Sequence, residues 1–157
     1  MTRLVLADDH PFFRSGVRAA LIDSGFTIAA YVSDGLEALA GIAEFDPEIV
    51  VLDVAMPRMN GIEVLQKMRE GGSDTPVVLL TEMLDDDQLV QAIRHDVNGN
   101  VFKDGAEERL FESLQAVRDG RRYIDQQLLT RALGCTLKPA ARDPLTGIAP
   151  RERQIGQ

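Results

Sequence analysis

The stretch Ile49-Val50-Val51-Leu52-Asp53-Val54-Ala55-Met56-Pro57-Arg58-Met59-Asn60-Gly61 decides the fold. Four apolar residues run without a polar interruption, end on a carboxylate, and meet Pro57 and Gly61, which bracket a turn. A continuous apolar run, rather than an alternating one, suits a strand covered on both faces, as in a parallel sheet. Parallel strands need crossover connections, so the flanking segments should be helical.

The same unit recurs outward in both directions. Leu4 to Ala7 reads as a first strand ending at Asp8 and Asp9, and a helix follows over Pro11 to Ser24, closed by Gly25. Its apolar face carries Phe13, Val17, Ala20 and Leu21, at helical spacing. Thr27 to Val32 is the second strand, and Asp34-Gly35 breaks the chain before a helix carrying Leu36, Leu39, Ala40 and Ala43. After the third strand, Ile49 to Asp53, a helix spans Ile62 to Glu70. Pro76 to Leu80 is the fourth strand and leads into Thr81. Asp85-Asp86-Asp87 opens the next helix, where carboxylates cap free N–H groups and favour the positive end of the dipole. Leu89, Val90 and Ile93 carry it to about His95. Val101 and Phe102 form a fifth strand before Lys103, and Leu110, Leu114 and Val117 stripe the last full helix.

Five βα units in series imply a doubly wound α/β fold, flavodoxin-like (βα)5, with a five-stranded parallel sheet in the order 2-1-3-4-5. This unit takes residues 1–120. A short helix within 121–133, capped by Asp125, should follow. Residues 134–157 have linker composition, and a new helix begins near Pro150.

Composition narrows the function. Of 157 residues, 45% are hydrophobic and 27% charged, enough for a real core and against global disorder. The net charge of −8 disfavours binding to a phosphate backbone by these residues. A lone cysteine, Cys135, suits a reducing compartment, and no run approaches a signal peptide or membrane span. A soluble cytoplasmic protein is expected.

In an open parallel sheet, ligands bind beyond the carboxyl ends of the strands where strand order reverses, here between the first and third. Asp8 and Asp9 should therefore face Asp53. Two unit charges ~4 Å apart repel by about 4 kcal/mol at an effective dielectric near 20, so either a proton or a divalent cation belongs there. Oxygen-only ligands suit Mg²⁺, and there is no Cys/His cluster for zinc. Lys103 can neutralise anionic oxygens, and the Thr81 hydroxyl can donate to one. With a metal neutralising a phosphodonor, a carboxylate can attack phosphorus; Asp53, on the central strand, is the candidate nucleophile.

The pattern Ala7-Asp8-Asp9-His10-Pro11, Val51-Leu52-Asp53 through Gly61, Leu80-Thr81 and Val101-Phe102-Lys103-Asp104 resembles the receiver domain of two-component response regulators. Gly120-Arg121-Arg122-Tyr123-Ile124, then Leu145-Thr146 and Pro150-Arg151-Glu152-Arg153, are similar to the NarL/FixJ group, in which a receiver precedes a LuxR-type helix-turn-helix domain. The resemblance implies that Asp53 accepts a phosphoryl group from a histidine kinase or small phosphodonor. It implies that Asp9 binds Mg²⁺ directly, Asp8 mainly through water, and Ala55 through its backbone carbonyl. Thr81 and Lys103 would contact the phosphoryl group, and a homodimer would form on activation, through the helix Asp86 to His95, the fifth strand and the last helix. DNA would be reached only through an output domain absent from this chain. The protein would be a signalling domain rather than an enzyme.

The chain departs from the family's pattern in three places. Asn100 stands where an aromatic switch residue is usual, Glu82 where a small residue follows the threonine, and Gly147-Ile148-Ala149 interrupts the helix-turn-helix opening. Two other functions remain open: a receiver acting as a phosphorylation-independent interaction module, and a Mg²⁺-dependent phosphohydrolase of the haloacid-dehalogenase type. The latter places its nucleophile on the first strand in a D-x-D arrangement, which the side-by-side Asp8-Asp9 of this chain does not match. His10 and His95 read as surface or capping residues, Met56, Met59, Met68 and Met83 as packing, and Cys135 as an inert thiol.

Overall fold

The computed structural model describes residues 2–82, 85–103, 106–124, 130 and 134. Among them, strands and helices alternate: β1 (Thr2–Ala7), α1 (Pro11–Leu21), β2 (Phe26–Val32), α2 (Gly35–Phe45), β3 (Ile49–Asp53), α3 (Gly61–Glu70), β4 (Val77–Thr81), α4 (Asp86–Arg94), β5 (Gly99–Phe102) and α5 (Ala106–Arg118). Every strand pairing is parallel and the order is β2-β1-β3-β4-β5, as the apolar runs predict.

Because side chains alternate along a strand, each run supplies both faces of the sheet. Leu4, Leu6, Ile49, Val51, Val78, Leu80 and Val101 pack with Val17, Leu21, Leu110, Leu114 and Val117 of α1 and α5. Ala7, Val50, Leu52, Val77 and Leu79 pack on the other face with Ala38, Leu65, Met68, Leu89 and Ala92 of α2, α3 and α4. Residues of β3 and β4 are buried throughout, so both faces of the central strands are dry.

Helix starts follow local chemistry. Asp34, Asn60 and Asp85 each accept a hydrogen bond from the backbone N–H three residues on, and Asn60 and Asp85 complete capping boxes with Glu63 and Gln88. Three expectations need correction. Helix α1 stops at Leu21 rather than Ser24, because Asp23 takes a left-handed turn (φ 58°), and Ala20 lies exposed. Helix α2 turns a different side to the sheet: Gly35, Ala38 and Gly41 are buried while Leu36, Ala40 and Ala43 face out. Small residues win there because the helix sits against Met59; a Cβ on Gly35 would overlap that residue's backbone. Finally, residues 121–124 are not helical. Tyr123 bridges Gly99 in parallel, Asn100 N–H donates to its carbonyl (2.8 Å), and its own N–H donates to Asn98 (3.0 Å). The rest of the expected short helix and linker lies outside the described residues, apart from Thr130 and Gly134, both helical. No described helix is long and apolar enough to cross a membrane.

The turn after β3 ties the fold to the strand end. Gly61 N–H donates to Val54 O (3.0 Å), and a Cβ on Gly61 would come within 2.6 Å of the Asp53 carbonyl oxygen. Backbone cannot yield as a flexible side chain does, so Gly61→Ala should destabilise by about 2 kcal/mol through overpacking. Urea denaturation checks this; an unchanged midpoint would contradict the close approach.

Candidate functional site

The alternation that builds the core also sorts the strand-end residues. The register pairs Ala7 with Leu52, which sets Asp8 beside Asp53 one step beyond the paired strands. Asp8 continues the Leu4–Leu6 face, Asp53 the Ile49–Val51 face and Lys103 that of Val101, all toward α1 and α5. Thr81 continues Val77 and Leu79 and belongs to the opposite face, with Asn100 and Phe102 on its neighbouring strand.

The three residues of the first face meet. Lys103 Nζ donates to Asp53 Oδ2 at 2.8 Å and lies 2.8 Å from Asp8 Oδ2. Asp8 and Asp53 are almost wholly buried. The contact with Asp8 is an ion pair in distance only: Oδ2 has no directed hydrogen bond. Asp53 Oδ1 accepts from Ala55 N–H at 3.1 Å. The Phe13 ring lies 5.0 Å from the Lys103 ammonium, a cation–π distance.

Burial pushes the Asp53 carboxyl above the ordinary carboxylate range; Lys103 and the Ala55 N–H pull it down and Asp8 pushes it up, and the net direction is up. Burial pulls the Lys103 ammonium down, but its close contacts with the Asp53 and Asp8 carboxylates outweigh this and leave it raised. The causes differ: loss of solvent disfavours the Asp53 charge, whereas the two carboxylates favour the Lys103 charge, and two carboxylates against one ammonium leave room for a further cation.

Asp8, Asp9, His10 and Asp53 each offer an atom, all within 4.8 Å of one another. The buried Asp8 Oδ2 and the carboxylate donors fit a hard dication such as Mg²⁺. Asp9 is more open, and Ala55 follows the strand end with its N–H turned to Asp53. Thr81 is buried, and its hydroxyl has no hydrogen-bond partner among the described residues. With Glu82, Phe102, Lys103 and Arg109 it lines an open groove beside the carboxylates. Glu82 is exposed. Asn100 is buried with Oδ1 unpartnered, and lines a second groove with Arg109, Arg122 and Tyr123.

His10 is the residue that sequence reasoning missed. Its backbone N–H donates to Asp8 Oδ1 (2.6 Å), and its Nδ1 lies 2.8 Å from Lys103 Nζ. The signal was its position directly after the paired aspartates, where a turn folds the next side chain back over them. Arg14 supports the loop from behind, donating to the carbonyls of Asp8 and Val32 (both 2.6 Å) and to Ser33 Oγ (2.7 Å).

Residues 4–115 match the family described as response regulator receiver domain. The chain is 29% identical over 156 residues to the nitrate/nitrite response regulator protein NarL of Escherichia coli K12, covering 97% of this chain and 72% of that protein. Among solved structures, the signal receiver domain of NarL from Mycobacterium tuberculosis superposes with a TM-score of 0.71 at 31% identity. It covers 76% of this chain and 98% of its own. A two-component response regulator of the LuxR family from Aurantimonas sp. SI85-9A1 gives 0.75 at 26% identity, covering 88% and 99%.

The raised Asp53 carboxyl has a consequence for stability. Its contribution is fully present below the pH at which the unfolded carboxyl titrates, and is lost as pH rises through the higher folded value. Asp53→Asn removes that loss while keeping an acceptor for Ala55. In metal-free buffer at pH 7 the variant should be more stable by on the order of 1 kcal/mol, a few degrees in Tm. The advantage should vanish below about pH 4. Calorimetry across pH checks both halves; a lower Tm at pH 7 would contradict the charge balance described above.

Proposed function

We propose, for a chain that belongs to the response regulator receiver domain family, that Asp53 accepts a phosphoryl group and that the domain switches state as a result. One observation carries the reading: a buried carboxylate held by a buried ammonium, with a second buried carboxylate beside it. Asp53 Oδ2 attacks phosphorus, the bond from phosphorus to the donor's leaving group breaks, and the carboxylate becomes an acyl phosphate. The donor is the phosphohistidine of a sensor kinase or a small acyl phosphate.

The chain's own residues have defined parts. Ala55 N–H fixes the plane of the Asp53 carboxylate through Oδ1. Lys103 holds Oδ2 before transfer and the new phosphoryl oxygens afterwards. Thr81, whose hydroxyl has no partner now, donates to one of those oxygens. Asp8, Asp9, Asp53 and the Ala55 carbonyl would hold Mg²⁺, which when bound neutralises charge on the transferring phosphoryl group. The domain serves as a switch for an output module, through homodimerisation of α4, β5 and α5, and not as an enzyme that turns over a substrate.

Incubation with acetyl phosphate and Mg²⁺ should add one phosphoryl mass to the protein and none to Asp53→Asn, read by intact mass spectrometry. Equal labelling of both would sink the assignment. Lys103→Met should still bind the dication yet label at least tenfold more slowly, since the group that neutralises the incoming oxygens is gone.

A second reading has an observation in its favour: Asn100 is buried where the family usually carries an aromatic ring. The domain would then be an interaction module whose state does not depend on phosphorylation. Light scattering with and without beryllofluoride separates the two. A monomer that dimerises on addition supports the switch; bound beryllofluoride with no change in mass supports the module.

A further inference from the structure

We propose that His10 is a nitrogen ligand of the cation site, so that the site takes a transition-metal dication through His10 as well as Mg²⁺ through its oxygens. The inference rests on the reading of the Asp8, Asp9 and Asp53 carboxylates as a cation nest. It assigns that nest a donor of a different chemical class.

The argument starts from which way His10 points. Its backbone N–H is fixed to Asp8 Oδ1, and Pro11 begins α1 directly after it, so the turn brings the imidazole back over the carboxylates. Nδ1 lies 3.2 Å from Asp8 Oδ1, 3.3 Å from Asp9 Oδ1 and 3.5 Å from Asp53 Oδ2. These are spacings between neighbouring ligands of one ion. With metal–ligand bonds of about 2.1 Å, adjacent donors in an octahedral or tetrahedral shell stand roughly 3.0–3.4 Å apart.

Donor and acceptor counting gives the second step. Nδ1 is 2.8 Å from Lys103 Nζ, and an ammonium only donates, so in the Nε2–H tautomer the one lone pair of Nδ1 faces into the pocket. The three carboxylates only accept, so in that tautomer they take nothing from Nδ1. The three N–H groups of Lys103 are divided among His10 Nδ1, Asp53 Oδ2 and Asp8 Oδ2, each at 2.8 Å, and the contact with Asp8 misses hydrogen-bond geometry. Asp8 is completely buried, so water does not answer for that oxygen from bulk solvent. A dication lying among the four groups accepts the lone pair and the carboxylate charge together.

The third step is the class of ion. Carboxylates and water suit Mg²⁺, whereas imidazole suits zinc, copper, nickel and iron. The half-exposed His10 side chain and the partly open Asp9 leave a path from solvent. Zinc binds most mixed N/O sites more tightly than Mg²⁺, so tight zinc binding alone would not identify the ligand. The dependence on His10 does.

The test uses the full chain carrying His95→Ala and Cys135→Ser, since the sequence has two histidines and one cysteine and the others must be silent. Mg²⁺ and Zn²⁺ affinities are measured by titration calorimetry, and Co²⁺ is used for its visible absorption. Adding His10→Ala should weaken Zn²⁺ at least tenfold, about 1.4 kcal/mol, while Mg²⁺ changes by less than about threefold. The Co²⁺ spectrum should lose intensity and shift in the same variant. Unchanged Zn²⁺ affinity and Co²⁺ spectrum in His10→Ala overturn the proposal, provided Asp53→Asn weakens both ions. If Asp53→Asn leaves Mg²⁺ and Zn²⁺ binding intact, the cation reading of the nest falls and the His10 proposal falls with it.

Discussion

The Lys103 ammonium between Asp8 and Asp53 is the constraint on which the rest of the structure turns. Two carboxylates buried side by side repel, by about 4 kcal/mol at ~4 Å and an effective dielectric near 20, a large share of a domain's stability. One ammonium at 2.8 Å from both offsets it and is held in return, with the Phe13 ring covering its side. The compensation is incomplete. Burial still holds the Asp53 carboxyl above the ordinary range, with Asp8 adding to the rise, and the Asp8 oxygen meets the ammonium without a directed hydrogen bond. A site with such a deficit is destabilised when empty and stabilised by what it binds, which suits a part meant to respond.

The parallel sheet makes this arrangement possible. Every strand delivers its carboxyl end to one edge, and the reversal between β1 and β3 leaves a gap there that no helix crosses. The period of two then divides the delivered residues. Asp8, Asp53 and Lys103 continue the α1–α5 face, while Thr81, Asn100 and Phe102 continue the α3–α4 face. Charge is gathered on one side of the sheet, and the neutral polar groups Thr81 and Asn100 lie on the other.

How much of this the sequence carries depends on the kind of signal. Strand cores are written as unbroken runs such as Ile49–Leu52, and strand ends as the first polar residue after a run, so Asp8, Asp53, Thr81 and Lys103 were legible. Helix starts were legible where an acceptor precedes the helix, as at Asp34 and Asp85. The buried side of α2 was not: an apolar count favours Leu36 and Leu39, but the helix buries Gly35, Ala38 and Gly41, and closeness to Met59 demands glycine at position 35. The Tyr123 bridge was missed because three of its neighbours, Gly120, Arg121 and Arg122, read as a surface turn, and edge pairing leaves no periodicity in four residues. His10 was missed because its contacts come from three strand ends at once, and no local spacing encodes them.

The two sides of the sheet are nevertheless joined. Lys103 N–H donates to the Thr81 carbonyl at 2.9 Å, so the strand end that carries the ammonium is bonded to the one that carries the hydroxyl. Thr81 Oγ1 and Asn100 Oδ1 are both buried without a partner, each at a penalty of about 1–3 kcal/mol. A packed domain keeps such groups only where another arrangement satisfies them or where they have a use. An aromatic ring at position 100 would act by its bulk, filling or vacating space beside β4. The Asn100 amide has less bulk, and its backbone ties β5 to the segment beyond α5: its N–H donates to the Tyr123 carbonyl at 2.8 Å.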